Sequence, residues 1–404
     1  MSGHSQLTIL CVASYEKGAE FMRECKRQGC RVVLLTSKSL QNADWPRESL
    51  DQIFFIPDVD KEWNLRDVIY GVSYLARTEQ INRIVALDDF DVEKAAALRE
   101  HLRCPGMGDT TARYFRDKLA MRTKAAEAGI LVPDFVHILN YDFIRDFFDR
   151  VKPPYVLKPR LQAGAIGIKK LNSTEEVWKT LDELGNEQSF YLLEKFIPGN
   201  IYHVDSIIYN RELVFAIVSQ YGLPPMEVAH QGRVFSTRTM VKGSTDEQSM
   251  QLMNKQVLKG FGMLQGVSHT EFIKATEDGR FYFLETSARA GGANIVELVE
   301  AATGMNLWAE WAKIEILKGE GKYELPKIKN DYAGLLISLA KQELPDLSTF
   351  NDPEIFWKMK KEFHAGLIFN SPDHNRIEEL LQHYTNRFYE EFFTSQPLPV
   401  KPKN

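Results

Sequence analysis

Cysteine is scarce in this chain. Four residues, Cys11, Cys25, Cys30 and Cys104, lie at spacings that match neither a disulfide framework nor a thiolate metal site. Three of them fall in apolar element patterns, so all four read as reduced thiols. An excess of one charge is also missing: 50 Lys and Arg against 55 Asp and Glu leave a net charge of -5. That balance gives no basic footprint for nucleic acid and no attraction to an acidic membrane surface. No apolar run approaches the roughly 18 residues of a membrane span, and MSGHSQLTIL has no basic stretch followed by a long apolar one. A cytoplasmic protein without nucleic-acid or membrane partners is expected. Two phosphate-binding signatures are absent as well. No G-x-x-x-x-G-K-[ST] occurs, and Ala13-Ser14-Tyr15-Glu16 stands where a G-x-G-x-x-G would follow the first strand, which argues against a P-loop and a dinucleotide site. There is no internal repeat. What is present is ordinary globular composition, 44% hydrophobic and 26% charged, long enough for roughly two to three domains.

The first hundred residues alternate strand and helix signals: strand 7–13, helix 18–28 closed by Gly29, strand 31–36, then apolar runs at 53–56 and 83–87. This alternation predicts a parallel, doubly wound sheet. Asp88, Asp89 and Asp91 close the last run and open a helix to 102, where acids suit capping and the first turn better than catalysis. A helical stretch over 109–128 carries Arg116-Asp117-Lys118 and stops at Gly129. From 155 the pattern turns to antiparallel sheet with helices: strands 155–158 and 168–171, a helix 174–184 with Ser173 and Glu176 as its capping box, and a strand 190–196. A hairpin of 202–209 and 213–219 then turns at Asn210-Arg211. The polar segment 220–245 leads to a helix near 246–262. Later helices are expected at 295–302 and 306–317, a break at 319–329, and amphipathic stretches at 353–363 and 375–393. Residues 396–404 read as a frayed tail.

Alternation in 268–273 and 280–285, with Glu277-Asp278-Gly279 between, reads as a hairpin that sets Glu271 opposite Glu285. Like charges across a strand pair are destabilising. A cation between them resolves the conflict, and Mg2+ takes one or two carboxylates together with phosphate oxygens. For an isolated hairpin, two solvated glutamates are the plainer alternative. Arg289 and then Gly291-Gly292 follow, a fixed cation beside backbone that a ligand can approach closely. Lys118 and Lys158 each suit a solvent-facing position by residue type. Together with a loop containing Gly164 and Gly167, they could hold a polyphosphate from several sides, with the backbone N–H groups of 162–166 cradling it.

These elements, in this order, resemble the ATP-grasp superfamily of carboxylate ligases: Arg116-Asp117-Lys118, Val156-Leu157-Lys158-Pro159, the loop 163–168, Leu193-Glu194-Lys195-Phe196-Ile197-Pro198-Gly199, His203-Val204-Asp205, Thr270-Glu271-Phe272 and Leu284-Glu285-Thr286-Ser287-Ala288-Arg289-Ala290-Gly291-Gly292. The resemblance covers about 85–315 and is strongest for the carboxylate–amine, amino-acid ligase type, with the biotin carboxylase type as a structural cousin. It implies an α/β chain: an N-terminal doubly wound domain over 1–108 and an α+β ATP-grasp domain of two subdomains over 109–320. Residues 152–220 would be a mobile lid, and an α-rich C-terminal extension over 321–404 would complete the core or the substrate pocket.

The resemblance further implies that Lys118 and Lys158 contact the nucleotide phosphates under the loop of Gly164 and Ile166. Glu194, Lys195, Phe196 and Ile197 would read adenine, with His203 or Asp205 near the ribose where relatives often carry a glutamate and this chain has Ile201; a buried structural His203 is the equal alternative. Glu271, Glu285 and Ser287 would hold Mg2+, with Mn2+ as an alternative; many relatives carry asparagine where Ser287 stands, so the metal count stays open. Arg289 and Lys158 would be catalytic, and Glu227, His230, Arg289 and Gly292 would meet substrate. The expected activity is ATP- and Mg2+-dependent joining of a small carboxylate to an amine through an acyl phosphate, with a homodimer left open. The alternatives are a carboxylase-like subunit, for which the E-x-N-x-R pattern is only partly kept, and a non-catalytic ATP-binding module marked by Ser287.

Overall fold

The computed structural model describes residues 6–59, 62–317 and 321–396. The expected tail lies outside them from 397 on, as do the first two residues of the 319–329 break. Strands β1 (Thr8–Ala13), β2 (Arg31–Ser37), β3 (Gln52–Ile56) and β4 (Arg83–Ala86) form a parallel sheet in the order β3-β2-β1-β4. β1 and β4 are buried along their whole length, which explains their continuous rather than alternating apolar pattern. This sheet docks on the rest of the molecule through its helix Ala19–Arg27, where Phe21 meets Trp311 edge to face at 5.3 Å.

A small antiparallel sheet holds β5 (Phe135–His137), β6 (Tyr155–Pro159), β7 (Lys169–Leu171) and β8 (Tyr191–Lys195) in the order β5-β8-β6-β7. The body is an eight-stranded sheet of β9 (Gly199–Tyr209), β10 (Glu212–Tyr221), β11 (Phe235–Thr239), β12 (Gly266–Ala275), β13 (Phe281–Ser287), β14 (Tyr332–Leu339), β15 (Ile355–Lys358) and β16 (His364–Ser371), ordered β13-β12-β9-β10-β11-β14-β16-β15. The turn between β9 and β10 has positive φ at Asn210 (50°) and Arg211 (68°), the backbone twist a tight hairpin needs. All four cysteines are free, and three are buried. No helix among the described residues is long and apolar enough to cross a membrane.

The expected fold class holds, with three local corrections. The helix foreseen over 109–128 is two helices, Asp109–Arg113 and Lys118–Glu127, because the Asp117 side chain accepts from Leu119 N and Ala120 N and starts the second one. The polar stretch 220–245 contains a short helix, Pro225–Gln231, and the sheet strand β11. The amphipathic stretch 353–363 is not a helix: it contributes the edge strand β15. The C-terminal segment thus supplies three strands to the main sheet as well as the helix His374–Glu391, rather than being mainly helical.

Candidate active site

Glu271 and Glu285 face each other in the β12/β13 pair. Register alone would have missed this by one residue, since Phe272 pairs with Phe283 and the turn spans four residues. A bulge at Leu284 restores the offset. The bulge has a use: the Leu284 carbonyl accepts from Arg122 Nη1. Glu285 is met by Lys118 Nζ at 3.0 Å, and Glu271 Oε1 accepts from the Tyr221 hydroxyl at 2.8 Å. Burial raises the Glu285 pKa, but Lys118 outweighs it and holds the carboxylate below its usual range.

Lys118 is the first residue of its helix, and its ammonium also donates to the Gln162 carbonyl at 2.6 Å. Arg160 is tied to Asp117 through Nε at 3.0 Å, so the helix start and the glycine loop form one unit. Within the loop, Gly164, Ala165 and Gly167 have φ of 68°, 61° and 73°. A side chain at 167 would meet Pro159 Cγ at 2.8 Å, which leaves glycine as the residue that fits. Lys158 Nζ reaches Glu194 at 2.5 Å, and Arg122 Nε lies 2.5 Å from the other Glu194 oxygen. Arg122 is fully buried. Burial, then the neighbouring Arg122 charge, brings the Lys158 pKa down to about 8, with Glu194 resisting.

Two cavities meet at the glutamate pair. A cleft of about 280 Å³ between the small and large sheets is lined by Lys118, Lys158, the loop 162–166, Glu194 to Ile197, Ile201 and Glu227. A larger cavity of about 1220 Å³ opens on the other side, where the parallel sheet meets the body, with Arg289, Gly292, Ser287 and Trp308 in its wall. Ala163, Gly164, Ile166, Pro225, Glu271 and Glu285 line both.

Arg289 is held by Asp89, whose Oδ2 accepts from Nε at 2.9 Å and from Nη2 at 2.5 Å. The pair shifts both groups toward their charged forms: the Asp89 pKa falls despite burial because of Arg289 and Arg116, and the Arg289 pKa rises against burial because of Asp89. Of the three aspartates read as capping acids, Asp88 does cap, accepting from Phe90 N at 3.1 Å, and Asp91 accepts from Ser14 N at 2.7 Å. Asp89 does not cap. Its position just past the end of a parallel strand, where ligand sites of such sheets sit, was the available signal.

His203 does not reach the cleft. It is fully buried, with Nδ1 on Asp205 at 2.7 Å and Nε2 on Thr237 at 2.8 Å. Asp205 also binds His269 Nδ1 at 2.9 Å, and His269 Nε2 lies 3.5 Å from Glu271. Burial opposes protonation of His269, but Asp205 overrides it and brings the pKa up to about 10. His203, Asp205 and His269 have ligand atoms within 4.8 Å of one another, yet those atoms are already hydrogen-bonded together. They back the site rather than open it. Glu227 lines the smaller cleft instead of the larger cavity, and His230, at the exposed end of its helix, lines neither. Arg122, Asp89, Tyr221 and His269 are site-building residues that the linear pattern did not reveal.

Residues 151–297 match the family model of the ATP-grasp domain. An L-arginine-specific L-amino acid ligase of Bacillus subtilis is 24% identical over 276 residues, covering 66% of this chain and 65% of that ligase. The chain thus spans just under two thirds of that relative's length. A D-alanine--D-alanine ligase of Thermotoga sp. (strain RQ2) is 28% identical over 237 residues, covering 48% of this chain and 73% of that ligase. The crystal structure of an L-amino acid ligase from Bacillus licheniformis superposes with a TM-score of 0.74 at 16% identity, covering 97% of this chain and 100% of that one, a likeness of fold.

Proposed function

We propose that this chain, whose residues 151–297 match the ATP-grasp domain, is an ATP- and Mg2+-dependent ligase that activates a small carboxylate as an acyl phosphate and joins it to an amine, releasing ADP. One observation carries the reading: the two cavities share Glu271 and Glu285 as a common wall, with Lys118 on one side and Arg289 on the other. The smaller cleft takes ATP. Glu194 to Ile197 lie along its inner wall for the adenine edge, and Lys118, Lys158 and the loop 162–166 take the phosphates. The oxygen donors of Glu271, Glu285 and Ser287 suit magnesium, a hard cation. When bound, it offsets charge on the phosphate oxygens.

Arg289 orients the carboxylate in the larger cavity, its planar fork matching two oxygens. An incoming carboxylate competes with Asp89 for that fork. The substrate oxygen attacks the γ-phosphorus, ADP leaves, and the amine then displaces phosphate from the acyl carbon. No protein nucleophile is needed, since phosphoryl transfer depends on positioning and charge stabilisation. Tyr221 and His269 hold Glu271 in place, and Arg122 and Lys158 keep Glu194 ionised against its burial. The small sheet and its loop act as the lid. The acid and amine we propose are amino acids, which the names of the Bacillus subtilis and Thermotoga relatives support.

The test is ADP release from ATP with single and paired amino acids, with Mg2+ and with EDTA. ADP formed with a pair, in Mg2+ only, is expected. Tight ATP binding with no ADP across a broad panel of acids and amines would favour a non-catalytic ATP-binding module instead.

A further inference from the structure

A third cavity, of about 380 Å³, shares no lining residue with the other two. It lies between the edge strand β4 and the β9/β10 turn, and its wall includes Arg83, Arg99, Arg211, Trp311 and Glu315. Arg83 and Arg99 are 7% and 9% exposed. The side-chain hydrogen bonds of both end on backbone carbonyls, and Glu315 is the carboxylate whose charge Arg99 feels. Arg99 donates from Nε to the Ile84 carbonyl (2.8 Å) and from Nη1 to the Met107 carbonyl (2.9 Å). Arg83 donates from Nε to the Glu315 carbonyl (3.2 Å) and from Nη1 to the Asn82 carbonyl (2.9 Å). These bonds fix the two guanidinium groups in place without supplying negative charge. The Glu315 carboxylate accepts from Trp311 Nε1 at 3.0 Å and from Gln265 Nε2 at 3.1 Å. Three arginines therefore line the cavity with one carboxylate.

The space is kept open by glycine. A side chain at Gly106 would meet the Arg99 stem at 2.6 Å, and one at Gly266 would meet Trp311 Nε1 at 3.2 Å. Buried cations are ordinarily paired, and an arginine fork pairs best with a carboxylate or a phosphate. We infer that this cavity binds a small organic anion carrying two negative charges, a dicarboxylate or a phosphate monoester, held by Arg83, Arg99 and Arg211 between the N-terminal sheet and the ATP-grasp body. Ala86 and Ala288 also line it, close in sequence to Asp89 and Arg289.

The site is tested by calorimetric titration of the full chain with succinate and, separately, glycerol 3-phosphate. The nucleotide cleft is first filled with MgADP, and the titration is repeated on Arg289→Gln to remove binding in the larger cavity. Saturable binding of at least one anion is expected, kept in Arg289→Gln and weakened about tenfold in Arg211→Ala, a change of about 1.4 kcal/mol. Arg211 is in an exposed turn, so this variant tests the site even if Arg99→Gln fails to fold. The stronger of the two anions identifies the chemistry of the ligand. No saturable binding of either, binding lost in Arg289→Gln, or binding unchanged in Arg211→Ala overturns the inference. Filling the cleft with MgADP rests on the proposed nucleotide site, whereas the comparison with Arg211→Ala does not.

Discussion

Glu271 and Glu285 sit opposite each other because each has a compensating neighbour, Tyr221 for one and Lys118 for the other. Glu285→Gln keeps the shape but removes the charge that Lys118 and a divalent cation would share. A kcat at least about 100-fold lower is expected, with an unchanged circular-dichroism spectrum; the scale is that of losing one transition-state contact. Wild-type turnover would take Glu285 out of the site. Lys158 carries a second prediction. Its pKa is lowered to about 8, so above that pH the free protein holds it neutral. ATP favours the charged form, so the Kd for ATP should be flat below pH about 8 and rise by up to about tenfold per pH unit above it. Titrations from pH 6 to 10 check this against Lys158→Arg, which should lack the rise. Residue type and order picked out the lysines, the glutamates and Arg289 as candidates, and the structure places them around the two cavities. Asp89, 200 positions from Arg289, and Arg122, 162 from Leu284, meet their partners only in three dimensions. His203 misled because β9 is buried on both faces over most of its length, and strand alternation does not say which cavity a side chain faces.

Among the elements, the helix Lys118–Glu127 matters most, because its first residue is the lysine that bridges Glu285 and the glycine loop. Its start depends on Asp117, which caps two N–H groups and binds Arg160. Asp117→Ala should lower stability by about 1–2 kcal/mol in urea unfolding and raise the KM for ATP several-fold. An unchanged KM would mean that Lys118 is positioned without its cap. The sequence pattern ran this helix together with the preceding turn because nothing between 113 and 118 is a strong breaker; the N-cap role of Asp117 was the cue. The stretch 353–363 failed for the opposite reason. Its aromatic and apolar residues fit a short helix as well as a strand, and only pairing with β16 decides.

At the scale of the whole molecule, the turn after β4 of the parallel sheet supplies Asp89, the small sheet supplies Lys158 and Glu194, and the large sheet supplies the glutamate pair, with Arg289 just past the end of β13. The site exists only where all three converge. The order of strand and helix signals foretold the architecture, but not that the C-terminal strands would extend the main sheet, since β14 and β16 are apolar runs no different from buried helix segments. We propose that this convergence lets the γ-phosphate pass across the shared glutamates to a carboxylate held at Arg289. That claim is tested most directly by supplying ATP, the amine and a carboxylate substrate labelled with oxygen-18, then reading the released phosphate by mass spectrometry. ADP as the nucleotide product and one labelled oxygen in each phosphate are expected. Unlabelled phosphate, or AMP with pyrophosphate, would contradict it.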